Sequence, residues 1–201
     1  MKKIIVFLVW FLTSTVSFAQ IQTSSIAVNG SHTYSISPVY TASMIISLNN
    51  VYYEAQLTNL AELKATYLAK LEKAGIDTST ITDDALSYAL LGYDKEGSIL
   101  KYKTTSLESM KTFLSVKALD VTKSDTTLQT ELNQDQMAAY AQLAIENARG
   151  KAEKIAQKIG RKVGKIMSIN DNNSAKITES LYYGSLINQR EYYISVSFEL
   201  L

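Results

Sequence analysis

Over residues 137–159 the apolar side chains recur at intervals of mostly three or four: Met137, Ala141, Ala144, Ile145, Ala148, Ala152, Ile155 and Ile159, half of them alanine. That period marks one stripe of an amphipathic helix about twenty residues long. Asn133 suits its N-cap and Gly160 its stop. A stripe of methyl groups fills little volume, so it closes a core only if the helix axis comes very near its partner. The helix is therefore expected to lie flat on a sheet over its full length.

The rest of the chain offers the strands for that sheet. Residues 25–48 read as strands, with Asn29-Gly30 placed to turn a hairpin or to sit in a bulged strand pair, and the single proline, Pro38, fitting a strand edge or start. Ala42, Met44, Ile46 and Leu48 then alternate with Ser43, Ile45 and Ser47. Leu60, Leu63, Tyr67, Leu68 and Leu71 return to helical spacing and end at Gly75. Residues 85–93 and 98–105 read as a hairpin about Asp94-Lys95-Glu96-Gly97. Ser106 caps a helix that buries Leu107, Met110, Phe113 and Leu114, and a short strand follows near residues 127–132. After the long helix, residues 163–169 and 193–201 read as strands. Helices inserted among hairpins, without strict alternation, predict an α+β fold: a mainly antiparallel or mixed sheet with helices packed on one face.

Lys2 and Lys3 precede an apolar run over residues 4–18, and Ser17-Phe18-Ala19 puts small residues at the −3 and −1 positions of a signal-peptidase site. This predicts a signal peptide over residues 1–19, cut after Ala19. The run is too short for a comfortable span, and no other stretch approaches spanning length. The mature protein is thus expected to carry no transmembrane segment and to reside in the periplasm, in the outer envelope or outside the cell. Without Lys2 and Lys3 there remain 18 basic residues against 19 acidic ones. Such a balance argues against a nucleic-acid partner.

The chain has no cysteine and one histidine, His32. That excludes disulfides, a thiol nucleophile, a cysteine zinc site and a lipidated cysteine anchor. A multi-histidine metal site would need a second chain, so no enzyme activity, catalytic residue, metal or cofactor is expected. His32 reads as an ordinary strand residue. The polar run at residues 170–174 superficially suits calcium, but counting from Asp171 the fifth, sixth and twelfth positions are Ala175, Lys176 and Tyr182, so it reads as a turn. Lys151, Lys154, Lys158 and Lys162 step along one side of the long helix and its end. They form the candidate surface for an anion or for an acidic face of the next subunit, weighed against a solvated flank whose stems cover apolar surface. The paired tyrosines 52–53, 182–183 and 192–193 each put one ring on either side of a strand, which suits half-buried packing, weighed against a subunit interface or a ligand platform.

The order of these features resembles the SIMPL (DUF541) family. The resemblance is carried by Ile26-x-Val28-x-Gly30, Pro38 and Ala74-Gly75-Ile76-Asp77, and more strongly by the C-terminal half. There it rests on Ala144, Ala148, Lys151-Ala152-Glu153, Ile159-Gly160, Val163-Gly164-Lys165 and Ile194-x-Val196-x-Phe198-Glu199-Leu200. Val39 stands where the family usually has an acidic residue. The resemblance implies one such domain over residues 20–201, in an exported envelope protein that assembles into homo-oligomers, associates peripherally with the envelope and is linked to oxidative-stress defence. It implies no catalytic residue. A periplasmic domain binding a small ligand or lipid, with its pocket between the sheet and the alanine-rich helix, is the other expectation.

Overall fold

The computed structural model describes residues 24–50, 59–182, 185 and 187–201. Its elements in chain order are β1 (Ser25–Ser35), β2 (Val39–Ser47), α1 (Leu60–Lys73), β3 (Thr82–Asp84), α2 (Ala85–Ala89) and β4 (Gly97–Thr104). They continue as α3 (Leu107–Ser115), β5 (Val121–Glu131), α4 (Gln134–Lys158), β6 (Val163–Asn170), β7 (Lys176–Ser180) and β8 (Gln189–Leu200). The predicted leader and its cut after Ala19 lie outside the described residues, as do Tyr52, Tyr53 and Tyr183. Among the described residues no helix is long and apolar enough to cross a membrane.

The α+β class holds, with the strands divided between two antiparallel sheets. One has three strands, ordered β1-β8-β6, and the other five, ordered β3-β4-β2-β5-β7. The division falls at Ile36-Ser37-Pro38, between β1 and β2. Pro38 brings no N–H, so the ladder between β1 and β8 ends there and β2 pairs instead with β4 and β5.

The long helix α4 lies on the small sheet, against β1 and β8. Its start is a full capping box: the Asn133 side chain accepts the Gln136 N–H, and the Gln136 side chain accepts the Asn133 N–H. Ala144, Ala148, Ala152 and Ala156 form the buried line, facing Ile194, Val196 and Phe198 of the closing strand. Ile155 and Ile159, expected in this stripe, are 47% and 59% exposed. The buried line passes through every fourth residue to Ala156, which turns Ile155 about 100° away, and Ile159 lies past the last helical residue.

The predicted hairpin at Asn29-Gly30 does not form, and β1 runs straight through both residues. Gly30 serves the helix instead. A Cβ placed there would stand 1.9 Å from the Ala144 carbonyl oxygen and 2.8 Å from the Ala148 nitrogen, both backbone atoms of α4. Only a residue without a side chain lets helix and strand meet so closely.

The five-stranded sheet buries its core under α1 and α3. Leu63, Tyr67 and Leu71 of α1 and Met110 and Phe113 of α3 pack on Tyr40, Ala42, Met44, Ile46, Leu100, Tyr102 and Leu128. Asn59 and Ser106 cap these two helices, each accepting a backbone N–H three residues on. Residues 85–93, expected as a strand, form α2 and a turn. The Asp84 carboxylate accepts both the N–H and the hydroxyl of Ser87, a helix start that outcompetes the alternation, and Gly92 at φ 72° ends the segment. The strand that pairs with β4 on the side away from β2 is the shorter β3. Strand β5 is longer than expected, since residues 121–123 also pair with β2, past an irregularity in the ladder between Ala42 and Met44.

Candidate functional site

The four lysines do not converge. Lys151 donates from Nζ to the Asn29 carbonyl oxygen of β1 at 2.9 Å. One turn earlier on the same helix, Asn147 Oδ1 accepts the Ser31 N–H at 3.2 Å. Residues 29 and 31 present their backbone groups on the same edge of β1, the edge away from β8, so side chains of this helix take two of the groups that another strand would use. Lys154 and Lys158 stand exposed on α4, and exposed Lys162 lies past Gly160, where its backbone pairs with Leu201.

His32 is half-buried on the helix-facing side of β1, its ring 5.4 Å from that of Tyr140. Tyr140 also stacks on Tyr34 at 4.6 Å and meets Tyr192 edge-on at 6.2 Å. The tyrosine pair on β8 separates as strand geometry requires, Tyr192 buried and Tyr193 56% exposed. The Tyr192 hydroxyl donates to Asp171 Oδ2 at 2.5 Å, and Asp171 Oδ1 accepts the backbone and side-chain N–H groups of Asn173. Burial works against the Asp171 carboxylate, but the hydrogen bonds from Tyr192 and Asn173 outweigh it and hold its pKa below the ordinary value. The Tyr192 phenol is pushed up to about 12, by burial first and then by the adjacent carboxylate. The polar run is thus a turn strapped to β8, with Asn173 also bonded to the Tyr193 backbone.

A second charged group lies where β3 meets β4. Lys101 Nζ and the Ser87 hydroxyl and N–H hold the Asp84 carboxyl well below the usual carboxylate range. Asp83 accepts from Lys64 of α1 at 2.5 Å and from the Ser98 hydroxyl. These contacts pin a three-residue edge strand and the helix after it. Among the described residues no three His, Asp or Glu side chains gather as metal ligands do.

The alanine helix leaves no room for a methyl group at Gly30, so its closest approach to the sheet holds no pocket. An open surface groove of about 1050 Å³ lies elsewhere, bordered by Thr33, Glu179, Tyr182, Arg190 and Tyr193. Arg190 there is held by Glu179 at 2.5 Å.

The structure shows one feature that strand reading conceals. At the end of the large sheet where β2 finishes and β4 and β5 begin, Ser47 is tied to three neighbours: its N–H donates to the Asp120 carbonyl, its hydroxyl bonds the Tyr88 hydroxyl, and Gly97 pairs with it across the ladder. Around this end Leu86, Leu90 and Leu119 are 74%, 80% and 86% exposed, and Leu91 and Tyr93 are exposed beside them. The spacing of Leu86 and Leu90, four apart, is a helical signal that was available in the sequence. Nothing local marked Leu119.

A family model described as SIMPL, protein of unknown function (DUF541), matches residues 11–191. No curated protein matches the chain.

Proposed function

The chain belongs to the SIMPL (DUF541) family, and from that premise we propose that it is an exported, non-enzymatic envelope protein that self-associates and works as a scaffold or binding assembly. The observation that carries this reading is the apolar end of the five-stranded sheet. A soluble monomer gains nothing by keeping Leu86, Leu90 and Leu119 more than 70% in water, and such patches mark surfaces that another molecule covers. Lys154, Lys158 and Lys162 supply a basic flank that suits an acidic face on a neighbouring copy.

Multi-angle light scattering on the processed protein at micromolar concentration tests the reading. A defined oligomer is expected, and a strict monomer overturns it. The double variant Leu86→Ser, Leu90→Ser changes only side chains that lie in water, so its fold should be unaffected while its assembly is reduced. Assembly unchanged in that variant removes the apolar end from the contact.

A further inference from the structure

The long helix covers one face of the small sheet, and the opposite face carries a different chemistry. Gly30, Tyr192, Ile194 and Val196 turn toward α4, so alternation turns their neighbours Asn29, Tyr193 and Ser195 to the other face. Strand register then sets three side chains in a row. Asn29 of β1 and Asn170 of β6 both stand opposite Ser195 of β8, giving amide, hydroxyl and amide across two strand spacings, about 9–10 Å. Tyr193 projects on the same face two residues back along β8, and Asn172 and Asn173 stand beside it, around a hollow of about 420 Å³. Among the described residues no charged side chain borders this hollow.

Two details mark the hollow as prepared for a ligand. The Tyr193 ring is 56% exposed, yet its backbone is fixed: Asn173 Oδ1 accepts the Tyr193 N–H, and Asn173 Nδ2 donates to the Tyr193 carbonyl. One side chain thus continues the ladder past its last pair, Asn170 with Ser195, and holds an aromatic platform still. The side-chain amides of exposed Asn29, Asn170 and Asn172, by contrast, bond no described residue and are free to face a ligand.

We propose that this hollow and the Tyr193 ring form a binding site for an uncharged saccharide. A sugar ring offers an apolar C–H face, which stacks on an aromatic ring, and a rim of hydroxyls that each donate and accept. Side-chain amides answer that rim, because each carries a donor and an acceptor on one plane. The absence of bordering charge selects against phosphates and ammonium groups, whose desolvation nothing here offsets. A peptide is a poorer match, since extended peptides are read by sheet edges through backbone groups, and over a sheet face only side chains project. Beyond the Tyr193 ring, Thr33, Gln189 and Glu191 continue the same face into the larger groove, so several linked sugar units have room on either side of the tyrosine. Every bordering residue belongs to one chain, so the site is complete in a single copy and does not depend on self-association.

Calorimetric titration with cellotetraose, maltotetraose and fully N-acetylated chitotetraose tests the site. At least one should bind at one site per chain, with an affinity unchanged when salt is raised from about 0.05 to about 0.5 M. Tyr193→Ala should weaken binding roughly tenfold, and Tyr193→Phe, which keeps the ring, should bind as the wild type does. The double variant Asn29→Ala, Asn170→Ala removes side chains that hold nothing in the fold, and should weaken binding by about two- to tenfold for each amide with unchanged circular dichroism. Lys154→Ala, on the helix-covered side, should change nothing. The proposal is overturned if none of the three saccharides binds, if a tetrapeptide of serine and asparagine binds in their place, or if the affinity falls with salt. Full binding in the asparagine double variant overturns it as well, whatever Tyr193→Ala does to the fold.

Discussion

The two sheets solve the same problem, burying one face under a helix, with opposite means. On the small sheet the helix contributes methyl groups and the strand contributes a glycine, so backbone nearly touches backbone. On the large sheet α1 and α3 contribute Tyr67, Leu71, Met110 and Phe113, and large side chains fill the gap between backbones. Losing volume should therefore damage the second region most, and adding volume the first.

The largest effect is expected for Phe113→Ala, which empties the space beside stacked Tyr102 and should cost about 3–5 kcal/mol by urea denaturation. Gly30→Val comes next, at about 3 kcal/mol, because the clash is with helix backbone that cannot move aside as a side chain does. If Gly30→Val costs less than Phe113→Leu, the contrast between the regions is wrong.

Each region also buries one tyrosine at no more than 1% exposure, Tyr67 and Tyr192, and both phenols have a pKa of about 12. In the unfolded chain these groups ionise near 10, so stability is complete below pH 10 and is lost as pH rises toward 12. Denaturation midpoints measured from pH 8 to 12 should show this fall, and Tyr67→Phe should make it shallower. At neutral pH the two tyrosines part company. Tyr192→Phe removes the hydrogen bond that this buried hydroxyl donates to the Asp171 carboxylate and should cost about 1–2 kcal/mol. The Tyr67 hydroxyl has no partner among the described residues, so Tyr67→Phe should be neutral or stabilising by up to about 1 kcal/mol. A loss at Tyr67 equal to that at Tyr192 would show that the two hydroxyls are held alike.

Legibility in the sequence followed the same division. The helices α1, α3 and α4 were readable with their caps, because a 3.6-residue period and a capping side chain are local facts. The closing strand was readable from its alternation. The Asn29-Gly30 pair reads as a turn because a glycine that frees a turn and a glycine that admits a helix look the same in one dimension. Residues 85–93 look like a strand by their apolar density, and the Asp84 side chain that starts a helix there is one acidic residue among several. Lys151 reads as part of a basic stripe, but its target lies 122 residues away on β1, beyond any local signal.

What the residues determined alone was periodic: which stretches wind or extend, and that one helix is too poor in volume to pack anywhere except very close. Which strands share a sheet, which edge is covered and which leucines remain in water were decided only in three dimensions. The physical reason is that hydrogen-bonded edges and covered surface are properties of pairs of elements, and a pair separated by a hundred residues leaves no period in either partner.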